Sequence, residues 1–71
     1  MSFDKKERAV RSILIDLFKE DPYRCRVELM DEFNTPYGYI AAAEVERLVM
    51  EGKVSTKGLC AEGHTLYFWN A

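Results

Sequence analysis

Cys60 and His64 have three residues between them, a gap that suits two ligands of one metal ion, and Cys25 is the other thiol that could supply a third. A structural zinc site takes four ligands, and no fourth is evident. The expectation is therefore two free thiols, no bound metal and no cofactor. The Cys60 and His64 pair also lacks the orienting third group that a nucleophile and its base require. His64 reads instead as a turn residue at the tip of a hairpin. Asp31 and Glu32 are adjacent on a helical stretch, so their side chains diverge by about 100° and form no catalytic pair. A chain of 71 residues also leaves little room for a closed active-site pocket, so the reading is of a protein that is not an enzyme.

The elements that would position these residues follow from hydrophobic spacing. From Asp4 to Glu20, Val10, Ile13, Leu14, Leu17 and Phe18 recur at i, i+3, i+4, i+7 and i+8, the stripe of an amphipathic helix. Ser2 or Asp4 could cap it, and Pro22 ends it, because the residue before a proline is driven out of helical angles. Tyr23 to Arg26 reads as a short extended link or strand stub. A second helix spans Val27 to Phe33, with Leu29, Met30 and Phe33 inward. Asn34, Thr35 and Pro36 break it, and a third helix runs from about Pro36 or Tyr37 to Glu51, with Ile40, Ala41, Val45, Leu48 and Val49 inward. Gly52 takes the left-handed position at its end.

After Gly52 the spacing changes to that of strands, in a hairpin over residues 53–69 with Gly58 and Gly63 bracketing its loop. Val54, Leu66 and Phe68 are expected to face the helices, with Tyr67 and Trp69 on the other face. One core should collect Leu14, Leu17, Phe33, Val45, Leu48 and Phe68, and the last two residues read as a tail.

Composition bounds the answer. At 48% hydrophobic and 13% aromatic, a chain of 71 residues is too apolar to be a disordered tail and too short for more than one small core, so residues 1–71 form one domain. The charged opening Met1-Ser2-Phe3-Asp4-Lys5-Lys6 is unlike a signal core, and no run approaches the roughly 20 apolar residues that span a bilayer. This leads to an expected cytoplasmic location with no membrane partner. Two cysteines are also too few for the disulfide framework of a small secreted domain.

The order helix, helix-turn-helix, hairpin, with the segment Leu48-Val49-Met50-Glu51-Gly52-Lys53-Val54 joining the last helix to the first strand, resembles the winged helix-turn-helix domains. The resemblance covers about Asp4 to Asn70. It implies an α+β fold of three helices and a C-terminal two-stranded wing, with room for a short strand before the second helix. The family mostly binds double-stranded DNA, so the resemblance implies a small transcription regulator. Its recognition helix would be 36–51, presenting Thr35, Tyr37, Tyr39, Ala42, Ala43, Glu46 and Arg47 to the major groove. Lys53, Lys57 and His64 of the wing, with Arg24 and Arg26 of the link, would meet the backbone or minor groove.

Charge argues against this. A DNA-binding face normally concentrates Lys and Arg to neutralise phosphates, yet from Pro36 to Glu51 Arg47 stands alone against Glu44, Glu46 and Glu51, in a chain of net charge -2. Basic residues gather instead at Lys5, Lys6, Arg8 and Arg11, at Arg24 and Arg26, and at Lys53 and Lys57. Two functions remain open. One is a DNA-binding regulator acting as a homodimer or beside other proteins. The other is a winged-helix interaction module, in which Tyr37, Tyr39 and Trp69 meet a protein partner.

Overall fold

The computed structural model describes residues 2–34 and 37–70, and the side chains from Lys5 onward within that range; the side chains of the proposed caps Ser2 and Asp4, and all of Thr35, Pro36 and the final Ala71, fall outside this description. Its elements are α1 (Ser2–Glu20), β1 (Tyr23–Cys25), α2 (Arg26–Asp31), α3 (Tyr37–Met50), β2 (Val54–Leu59) and β3 (Thr65–Trp69). The described residues thus form a small α+β fold with three helices and one antiparallel sheet of three strands, in the order β1-β3-β2. The expected two-stranded hairpin is widened by β1, whose Tyr23, Arg24 and Cys25 lie opposite Phe68, Tyr67 and Leu66.

Proline and glycine set the boundaries as their backbone chemistry requires. α1 stops ahead of Pro22, and the carbonyl of Leu17 in its last turn accepts from the Asp21 N–H at 3.1 Å and from the Arg24 guanidinium at 2.9 and 3.2 Å. Arg24 therefore satisfies a helix C-terminus, where a cation is also favoured by the helix dipole. α3 ends in a Schellman motif: Gly52, at φ 80°, donates to Val49 O and Lys53 donates to Leu48 O, each at 3.0 Å. That conformation costs an L-residue roughly 1–2 kcal/mol, which glycine avoids.

The core gathers Val10, Leu14 and Phe18 of α1, Leu29 of α2, Ala41, Val45 and Leu48 of α3, Val54 of β2 and Tyr67 of β3, with Leu17, Met30, Phe33, Ile40, Val49 and Trp69 packed against it. Ile13 falls at the edge of the α1 stripe and is half exposed, because α3 and the sheet cover one side of that helix only.

The face of β3 is the main correction. Tyr67 is 1% exposed and Trp69 stacks on Phe18 at 6.0 Å between ring centroids, so this pair, rather than Leu66 and Phe68, faces the helices. Phe68 lies on the outer face beside Tyr23, at 4.6 Å between centroids, with the Lys57 ammonium 5.7 Å from its ring centroid. A shift of one residue exchanges the two faces of a strand. The tyrosine fits inside because its hydroxyl accepts from Arg26 Nη1 at 2.9 Å. Asn70 is likewise no tail: its N–H donates to Lys53 O at 2.9 Å and its side-chain amide to Gly52 O at 3.0 Å.

Candidate interaction surface

On α3, Tyr39, Ala43, Glu46 and Met50 follow one another at i, i+4, i+7 and i+11, which aligns them along a single side of the helix. All four are exposed, Tyr39 at 77% and Met50 at 86%. Three of the four are uncharged, so the outward strip of α3 is an apolar ridge interrupted by one carboxylate. Ala42 is half-buried beside it. Tyr37 lies on a different line, that of Ala41, Glu44 and Leu48, and is exposed at the start of the helix.

The arginines expected to meet phosphates are committed elsewhere. Arg47 is drawn toward α1, its guanidinium 3.2 Å from Glu7 and 3.2 Å from Glu44. Arg26 lies 3.7 Å from Glu46 and holds the Tyr67 hydroxyl. Arg24 caps α1 and sits 3.7 Å from Glu20. Lys53 pairs with Glu51 at 3.4 Å. Lys57 leans over Phe68, and His64 is exposed in the β2–β3 loop. The predicted set is thus divided: Tyr39, Ala43 and Glu46 share one strip with Arg26 beside Glu46, Arg47 faces α1, and Arg24, Lys53, Lys57 and His64 lie elsewhere.

Between α1 and α3 lies a charged crevice of about 240 Å³ lined by Glu7, Arg8, Arg11, Glu44 and Arg47. At its base Glu44 is 2% exposed, with Oε1 accepting from Arg47 at 3.2 Å and Oε2 lying 4.0 Å from Arg11. Glu44 is absent from the inward residues expected of α3, although Ala41, Glu44 and Leu48 repeat at i, i+3 and i+7, the signal that could have found it. An inward carboxylate is retained because two arginines compensate it, and removing either would leave a buried charge with less support.

Arg11 also grips Glu51 with both terminal nitrogens, joining α1 to the end of α3. That hydrogen bond, reinforced by Lys53, holds the Glu51 carboxyl down to about 2 from an ordinary value of 4.5. A carboxyl that titrates lower in the folded chain stabilises it fully above the unfolded value and loses that contribution as the folded value is approached. Stability should therefore fall between about pH 4.5 and pH 2, and Glu51→Gln should flatten that part of the profile. Denaturation midpoints measured across this range check it; identical slopes for the two proteins would exclude the staple.

The thiols of Cys25 and Cys60 meet at 2.8 Å, a contact that the spacing of the two residues gave no means to foresee. Among the described residues, no group of three or more His, Cys, Asp or Glu side chains is gathered to hold a metal ion. Among those residues, too, no helix is long and apolar enough to cross a membrane. Comparison of the chain with family models, curated proteins and solved structures gives no match.

Proposed function

We propose that the chain is a winged helix-turn-helix module that binds a protein partner through the outward strip of α3. The fold part of this reading is supported by the element order, with a short strand ahead of the helix-turn-helix and a hairpin after it. The functional part rests on one observation. The strip offers Tyr39, Ala43 and Met50 around a single glutamate, while Arg24, Arg26 and Arg47 are already engaged within the molecule. A duplex would have to draw Arg47 away from two carboxylates before gaining its first phosphate contact on α3. A protein surface needs no such exchange, and exposed aromatic side chains are frequent anchors of protein interfaces.

A second reading, a DNA-binding regulator, is favoured by the exposed Lys57 and His64 of the wing and by the exposed Lys5, Lys6 and Arg8 near the start of α1. Two measurements separate the readings. Gel-shift titration of a duplex pool at two salt concentrations should retain nothing even at low salt; retention that weakens with salt, and less steeply in Lys57→Ala, would establish the second reading instead. A photo-crosslinker placed at position 39 in the native cells should capture a discrete protein. The affinity of that complex should fall by about 2 kcal/mol, roughly thirty-fold, in Tyr39→Ala and barely change with salt.

A further inference from the structure

Cys25 and Cys60 are 35 residues apart in sequence, yet their sulfurs are in direct contact at 2.8 Å. The sheet order explains how they meet. Cys25 closes β1 opposite Leu66 of β3, and the β2–β3 loop reaches across the start of β3 to set Cys60 over it. The loop is tied down at that point: Cys60 N–H donates to His64 O at 2.7 Å and Gly63 N–H to Cys60 O at 2.9 Å. Cys25 is fixed as well, since it caps α2 and its N–H donates to Glu28 Oε1 at 3.1 Å. Two thiols held in contact by these three hydrogen bonds need only a small approach to reach the about 2.0 Å of a disulfide.

We propose that Cys25 and Cys60 form a reversible intramolecular disulfide, a redox modification site that locks the β2–β3 loop onto the start of α2. The two sulfurs have different parts. Cys60 is partly exposed and reachable, whereas Cys25 is buried at 6% exposure. The hydrogen bond between them lowers the Cys60 thiol and raises that of Cys25, and the backbone N–H groups of Glu62 and His64 lower Cys60 further. Cys60 is therefore the attacking thiolate and Cys25 the resolving group.

With a small-molecule disulfide such as oxidised glutathione as the oxidant, the Cys60 thiolate attacks one glutathione sulfur. A mixed disulfide forms and the other glutathione leaves as a thiolate. Cys25, after losing its proton, attacks Cys60 Sγ, closes the internal bond and expels the second glutathione. The protein loses two electrons and two protons, and one oxidised glutathione becomes two thiols.

Exposure to excess oxidised glutathione, followed by acid quench and mass analysis, tests this on the intact chain. The expected product is a monomer lighter by two hydrogens, restored by reduced glutathione, with a Tm raised by about 10 °C or more. Cys25→Ser should stop at one glutathionyl group on Cys60, and Cys60→Ser should react slowly or not at all. Should either variant fail to fold, the wild-type product alone decides. A wild-type chain carrying glutathione on each cysteine, a disulfide-linked dimer, or an unreacted chain would overturn the proposal. An oxidised chain that melts no higher than the reduced one would remove the locking role.

Discussion

Tyr67→Ala is expected to destabilise the fold by about 3 to 5 kcal/mol, and Phe68→Ala, one residue along, by no more than about 1 kcal/mol. The difference comes from the face each ring occupies. Tyr67 is buried among Leu14, Phe18 and Val54 in the core cluster, so its loss leaves a cavity and strips Arg26 of a hydrogen-bond acceptor. Phe68 lies on the outer face between Tyr23 and Lys57, where water replaces the ring. Chemical denaturation of the two variants in parallel checks this. Equal losses, or a larger loss for Phe68→Ala, would reverse the assignment of the two faces of β3.

Leu48→Ala is the second large effect, at about 2 to 5 kcal/mol. Leu48 has no exposed surface and sits where α3 meets α1 and β2. A domain of 71 residues has about 4 to 10 kcal/mol of total stability, so this one truncation should remove a large fraction of it. The denaturant midpoint should fall steeply while the slope of the transition stays the same. An unchanged midpoint would remove α3 from the core and with it the strip on its opposite side.

The helices were legible in the sequence because burial leaves a periodic trace. Val10, Leu14 and Phe18 repeat every four residues, and Pro22 and Gly52 mark ends that their backbone geometry imposes. β1 was visible only as a stub, since three residues carry too little alternation to distinguish a strand from a link. The faces of β3 were not legible, for two reasons. Leu66, Tyr67, Phe68 and Trp69 are apolar on both sides, so alternation gives no preference. The partner strand also carries an irregularity: Thr56 opposes Tyr67 and Leu59 opposes Thr65, leaving Lys57 and Gly58 together opposite Leu66. One inserted residue changes the parity of the pairing, and a pattern with period two cannot be extended across it.

The candidate surface was partly legible. Tyr39, Ala43 and Glu46 were named and Met50 was not, and Arg47 leaves the set through ion pairs to Glu7 and Glu44, residues 40 and 3 positions away. The Cys25 and Cys60 contact was out of reach, because it arises from a strand order that no local spacing encodes.

That same irregularity at Lys57 and Gly58 bears on how the molecule behaves in a crowd. Among the described residues β2 is an outer strand of the sheet, with a row of backbone groups that no neighbouring strand satisfies, and such rows recruit strands from other molecules. Gly58, at φ 82°, kinks the row, and Lys57 beside it places a charge that a second copy would have to bury. A bulge and a charge on the outer strand are features that disfavour edge-to-edge pairing with a second copy. A β-branched residue at position 58 would be strained at that φ and would weaken the hairpin that carries this edge.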